Sequence, residues 1–161
     1  MRQLTTEQVW NEIEQNLFAV LGMVTPKGEA RTVGIVYVVA DHKFYIGSQK
    51  AAWKVKHITR NPGVSLTIPI AKRIPLMPWI KIPAATITLS GTANVWENSE
   101  VRPAILKKLY RDVVKDEPAL AASCVIEVLP QGEFITYGVG IPLMQMRFPE
   151  KARGRVAVST T

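Results

Sequence analysis

Between Asp41 and Glu97 the chain has no acidic residue at all, yet the same stretch carries Lys43, Lys50, Lys54, Lys56, Arg60, Lys72, Arg73 and Lys81. Elsewhere 12 basic residues face all 13 acids, so the net charge of +7 comes largely from one region. A local excess of this kind reads as a built anion site rather than a uniformly basic surface. Other absences narrow the field. The single cysteine, Cys124, allows no internal disulfide, and in the run Cys124-Val125-Ile126 it reads as a core thiol rather than a nucleophile. His42 and His57 are the only histidines, and no Cys or carboxylate is spaced to complete a zinc set with them. There is no Gly-x-Ser-x-Gly elbow and no partner His/Asp pair for Ser48, which excludes the usual hydrolase triad. The lack of a Gly-x-Gly-x-x-Gly loop disfavours a doubly wound nucleotide fold. Aromatic residues make up 7%, with no spaced pair marking a base-stacking strand, so no nucleic-acid partner is expected. No apolar run reaches the roughly 18–20 residues of a membrane span, and Met1 to Glu7 lack the apolar core of a signal peptide. A cytoplasmic protein with no membrane partner is the expectation.

What is present is a chain of 161 residues, 47% of them hydrophobic, long enough for one domain with a sizeable core. Thr5 and Gln8 form a capping-box signature, and Val9, Ile13 and Leu17 recur at helical spacing, which predicts a helix over 6–16. Strand-like runs follow from Phe18 to Val24 and from Ala30 to Val39, joined by Thr25-Pro26-Lys27-Gly28. A tight turn at Asp41-His42 leads into a strand from Lys43 to Gly47. A second helix is predicted over 49–60, stopped by Asn61-Pro62-Gly63, with a strand from Val64 to Ile68 after it. Residues 69–83 carry Pro69, Pro75, Pro78 and Pro83 and suit neither a helix nor a central strand. A long strand from Ala84 to Trp96, bent at Gly91, precedes a third helix reaching about Lys115, with Val101, Ile105, Leu109 and Val113 as its buried stripe. Two last strands, Cys124 to Leu129 and Phe134 to Gly138, lead into a tail rich in Pro, Met and Arg. The fold class is therefore mostly β (α+β), a barrel-like antiparallel sheet of six or seven strands with three interposed helices.

The candidate site is the strand, Gly47-Ser48 turn and helix start that follow Tyr45. Ser48 as helix N-cap would leave free backbone N–H groups for an anion. Lys50 and Lys54 lie on one face of the predicted helix, and Arg31 on the preceding strand is placed to converge as a bidentate phosphate or carboxylate partner. The chain has little acid–base machinery of its own, which fits chemistry supplied by a cofactor.

The pattern Gly28-x-x-Arg31-x-Val33, then Phe44-Tyr45-Ile46-Gly47-Ser48, Trp53-Lys54 and Asn61-Pro62-x-Val64-Ser65-Leu66 resembles the flavin-binding split β-barrel family, of which pyridoxamine 5′-phosphate oxidase is the best-known member. The resemblance is clear over about residues 8–70. It implies a single FMN-binding split-barrel domain over 1–161, usually a homodimer with the cofactor at the subunit interface, and an oxidoreductase passing hydride or electrons to or from a small organic substrate. Carried over residue by residue, Lys54 and Arg31 would hold the FMN phosphate, Thr32 and Val33 would line the ring, and Gly47 and Ser48 would flank the phosphate. Lys50 on the same helix face and Thr67 on the following strand complete the expected set. Trp53 stands where oxidase members often place an arginine, and the tail does not reproduce the oxidase's substrate-binding ending, so pyridoxamine phosphate oxidation is not expected. Related branches bind a deazaflavin, whose longer acidic tail the extra lysines would suit, or haem, for which His57 is a poor axial candidate. A flavin or haem carrier with no dedicated substrate is the alternative of another class. The segment Arg73 to Pro83 reads as a lid over the flavin, a dimer-interface loop or a membrane-surface contact, the first two being favoured.

Overall fold

The computed structural model describes residues 4–74, 76, 77, 79, 82–111 and 117–159. Helix α1 (Thr6–Glu14) opens with the expected reciprocal cap between Thr5 and Gln8. The strands are β1 (Phe18–Val24), β2 (Ala30–Val36), β3 (Val38–Ala40), β4 (Lys43–Gln49), β5 (Gly63–Ile70), β6 (Ala85–Glu97), β7 (Ser123–Tyr137) and β8 (Arg153–Ala157). Helices α2 (Trp53–Arg60), α3 (Pro103–Tyr110), α4 (Glu117–Ala121) and α5 (Pro149–Ala152) lie between them. The sheet runs β2-β1-β5-β6-β7-β4-β3, antiparallel at every junction, with β8 added beside β7. The fold is thus an α+β split barrel, with one more strand than the highest count expected. Among the described residues no helix is long and apolar enough to cross a membrane.

The stretch expected as one strand from Ala30 to Val39 is two, because Tyr37 steps out of the ladder. Its backbone N–H donates to Leu17 O at 3.0 Å and its hydroxyl donates to Ile13 O at 2.7 Å. Before Tyr37 the chain pairs with β1, and after it with β4. One segment therefore supplies both ends of the sheet, and the barrel closes around it.

Inward positions alternate as the apolar pattern requires: Ala19, Leu21 and Met23 on β1, Val64, Leu66 and Ile68 on β5, Ala85, Ile87 and Leu89 on β6. Helix α1 plugs the barrel with Trp10, whose ring stands edge-on to Phe134 and whose Nε1 donates to Val158 O at 3.3 Å. Cys124 is buried, and burial pushes its thiol above the ordinary range, in keeping with a core role.

Other elements differ from expectation as well. The two last strands are one strand, β7, because Pro130 stays in register opposite Gly91 and residues 132–134, Gly132 among them, are absorbed in an irregularity between Thr88 and Ser90 of the continuous β6. At this kink β7 exchanges β4 for β8 as its outer neighbour. The tail contributes α5 and β8, whose alternation of Gly154 and Val156 with Arg153 and Arg155 is the signal that went unread. Helix α3 begins at Pro103 after a 3-10 turn over Asn98–Glu100, with Val101 and Ile105 buried and Leu109 half-buried. Val113 and Lys115 lie outside the described residues.

Gly91 sits where β6 and β7 press together: a β-carbon there would stand 2.5 Å from the Leu129 carbonyl oxygen. That oxygen belongs to backbone in the sheet and has no room to retreat. Gly91→Ala is expected to destabilise the fold by about 1–3 kcal/mol, read as a lower urea midpoint. An unchanged midpoint would mean that the two strands part freely here.

Candidate functional site

Where β2 parts from β4, the barrel opens into a cleft of about 620 Å³. Its walls come from Gly34 to Val38 on one side and from Ile46 and Gly47 on the other. Lys54, Lys108 and Arg111 also line it, and no carboxylate does. Among the described residues none of these three cations is held in an ion pair. A cleft lined by three cations and no acid favours an anion, although Lys108 also borders a neighbouring pocket lined by Glu14 and Asp41. The remaining walls are apolar, with Leu17 (54% exposed) and Val36 (65% exposed) at the rim.

Local structure explains why Lys54 stands here. Helix α2 starts at Trp53 rather than at residue 49, with Ala52 as its N-cap and no side-chain cap. The expected N-cap, Ser48, is instead in the β4–β7 ladder opposite Cys124, buried, its hydroxyl donating to Gln49 O at 3.3 Å. Strand pairing continues through Gln49 opposite Ser123, and the sheet wins over the helix for these residues. The consequence is that Lys54 falls in the first turn of α2, nearer the open helix end than the sequence suggests.

The other expected residues are dispersed. Gly47 lines the cleft but lies under the ring of Tyr110; a β-carbon at Gly47 would stand 3.0 Å from Tyr110 Cε1. The Tyr110 hydroxyl donates to Cys124 O at 3.1 Å, and burial raises its pKa. Lys50 is paired with Glu97, an acid from beyond the acid-free stretch. Lys43 is likewise taken, by Glu127, a buried carboxylate that also accepts from Tyr45 Oη at 3.0 Å and Trp96 Nε1 at 3.4 Å. The charge excess is therefore partly neutralised in space. Arg31 is exposed on β2, three residues from Gly34, and bonded to Glu29 at 3.1 Å. Thr32 and Val33 face Gly22 and Leu21 of β1. Thr67 lies on β5 beyond β1, its hydroxyl 3.3 Å from that of Thr88.

Sequence reasoning missed Gly34, Val36, Lys108 and Arg111. Lys107-Lys108-Leu109-Tyr110-Arg111 is a basic helix end with an aromatic inside it, a signal visible once α3 is known to pack on β4. Of the proline-rich segment, none of the described residues lines the cleft; Lys72 donates to Ile141 O at 3.0 Å, and Leu76 and Trp79 are exposed. The histidines are also elsewhere. His42 is stacked on Trp10 with centroids 4.7 Å apart, and His57 leans on Trp53.

Known proteins share this architecture. General stress protein 26 from Bacillus anthracis str. Sterne superposes with a TM-score of 0.61 at 16% identity, covering 81% of this chain and 92% of its own. HutZ, the haem storage protein from Vibrio cholerae, gives 0.64 at 14% identity over 84% and 96%. A structure described as an F420 reductase gives 0.56 at 17% identity over 77% and 93%. Likeness at these identities speaks for the fold alone. No curated protein matches the chain significantly. Residues 5–136 match the family model described as pyridoxamine 5′-phosphate oxidase, most of the chain including all the cleft-lining residues, and the protein accordingly belongs to that family.

Proposed function

We propose that the chain binds FMN in the cleft as a homodimer and passes hydride or electrons between that cofactor and a small organic substrate. The observation that carries this reading is the cleft itself: about 620 Å³, apolar on its walls, with Lys54, Lys108 and Arg111 and no acid in its lining. Its volume falls in the range of roughly 300–1,000 Å³ usual for cofactor sites. A flat apolar ring carrying a phosphate asks for this combination of apolar wall and cationic end.

Lys54 in the first turn of α2 would hold the phosphate, where the helix dipole adds to its charge. Arg31 can join it at small cost, because its bond to Glu29 is an exposed pair of little worth. Lys50 and Ser48 are less available, one held by Glu97 and the other turned to Gln49. Strand β2 ends the sheet path, so the backbone N–H and C=O groups on its outer edge have no strand partner and offer bonds to a polar ring edge. Flavin, when bound, supplies the redox chemistry; the chain's part is to orient it, exclude water and tune it with these donors. A deazaflavin remains the second reading, favoured by the presence of three cations rather than one. Haem is less well supported, since neither histidine lines the cleft.

A second copy of the chain would complete the site. Leu17, Val36 and Phe18 form an exposed apolar rim continuous with the cleft, and Phe18 stands opposite Val36 in the β1–β2 ladder. Leu76, Met77 and Trp79 add exposed apolar surface suited to the same use. A two-fold interface covering such a rim would shield a ring laid in the cleft.

Lys54→Ala is expected to lower FMN affinity about 10- to 100-fold, the loss of one charge-assisted bond. Riboflavin, which lacks the phosphate, should lose much less; equal losses in a fluorescence titration would remove Lys54 from the phosphate. If F420 binds at least as well as FMN in the same assay, the deazaflavin reading replaces the flavin one.

Val36→Asp, at an exposed position, should leave the fold intact while splitting the dimer and releasing FMN. Light scattering with absorbance detection reads both at once. A monomer that keeps stoichiometric flavin would show the site to be complete in one chain.

A further inference from the structure

The connection from β6 to β7 carries the 3-10 turn, α3 and α4. One polar cluster, built on Asn98, Tyr110 and Ser123, ties these elements to the barrel. Asn98 Nδ2 donates to Leu120 O at 2.7 Å and to Ser123 Oγ at 2.9 Å. The Tyr110 hydroxyl has one proton to give and two acceptors in reach, Cys124 O of β7 at 3.1 Å and Asn98 Oδ1 at 3.3 Å. Its ring is seated on Gly47 of β4, where a β-carbon would stand 3.0 Å from Cε1.

Little else holds this end of α3. Ile105, five residues before Tyr110, is the one buried residue of the helix, while Leu109 and Tyr110 are half-buried. Among the described residues, Tyr110 is the one member of the last turn whose side chain hydrogen-bonds to another element. The chain then leaves the helix at Arg111 with φ +44° and ψ −117°, a conformation that a residue with a β-carbon rarely adopts. Such a conformation persists only where its surroundings hold it, and the tethered Tyr110 is its immediate neighbour. Lys108 and Arg111 stand on either side of Tyr110 in the sequence, and both line the cleft. Both are exposed and neither is in an ion pair among the described residues, so no bond of their own keeps them there. Lys108 also borders the pocket that Glu14 and Asp41 line, and a helix end free to turn would give it up to those acids.

We propose that Tyr110, latched to Cys124 O over Gly47, is a positioning residue that holds Lys108 and Arg111 at the cleft and so sets its preference for ligands that carry a phosphate. The proposal rests on the reading of the cleft as a cofactor site. The test compares the full-length wild type, Tyr110→Phe, Lys108→Ala/Arg111→Ala and the triple variant by calorimetry with FMN and riboflavin. Tyr110→Phe should weaken FMN about fivefold, the loss of one hydrogen bond, and riboflavin less than about twofold. In the background lacking both cations the same change should cost less than about twofold, because a residue that acts through them has nothing left to act on. Hydrogen exchange reads the latch without any ligand: the amides of Leu109, Tyr110 and Arg111 should exchange about fivefold faster in Tyr110→Phe, and those of Ile46 to Ser48 at the wild-type rate. Equal losses for FMN and riboflavin, equal losses with and without the two cations, or unchanged exchange would each overturn the assignment. A wild type that takes no FMN sinks the cofactor reading instead, and the same cycle is then run with inorganic pyrophosphate. Failure to bind that anion as well, or a cycle without coupling, would overturn the positioning role.

Discussion

Everything about the cleft depends on how the chain passes Tyr37. Its backbone N–H and its hydroxyl are both tied to the end of α1 and the link to β1, so this residue cannot extend either ladder. A barrel whose two sheet ends come from one continuous segment must close, because the ends are one peptide apart. It cannot close completely, because the shared segment pairs to β1 on one stretch and β4 on the next. The unclosed part is the cleft, and the free edge of β2 that faces it is a by-product of the same constraint. Barrel closure normally abolishes edges; here one stays open where backbone groups are useful.

The charge distribution follows a similar logic of partial cancellation. A run of more than fifty residues without an acid looks in one dimension like a strongly basic patch. In three dimensions Glu97 and Glu127, from β6 and β7, reach back to Lys50 and Lys43. Glu127 tolerates burial because Lys43, Tyr45 and Trp96 all give it hydrogens, and loss of any one would leave a costly acceptor. The cations left around the cleft are a different set from the one the sequence suggests, joined by Lys108 and Arg111 from a helix far along the chain. The lining of the cleft is still basic, with different members.

Much of the fold was legible because two periodicities were strong. The cap at Thr5 with Val9 and Ile13 fixed α1, and the alternating inward residues of β1, β5 and β6 matched their strands closely. Failures came where tertiary pairing overrode local signals. Ser48 reads as a helix cap because Gly-Ser precedes a lysine-rich helix, but the ladder to Cys124 and Ser123 outlasts it. The break expected between Leu129 and Phe134 does not occur, because β6 opposite it is continuous: Pro130 pairs with Gly91 and the irregularity takes up Gly132. Of the residues that line the cleft, Lys54 and Gly47 were reachable from motif and position. Lys108 and Arg111 were not, since their placement needs α3 folded onto β4, a contact between distant parts of the chain.

Two glycines show the same device at two places in the sheet. At Gly47 the missing side chain makes a seat, and the protein fills it with the Tyr110 ring, which fastens α3 across the cleft's edge through its bond to Cys124 O. At Gly154 the missing side chain again makes a seat, and the Thr136 hydroxyl fills it, since a β-carbon there would stand 2.7 Å from Thr136 Oγ1. Packing alone explains the first, because a larger residue there would displace a ring that holds two elements together. It explains the second as well, because a side chain at Gly154 would collide with a hydroxyl on the strand paired to it in the same sheet.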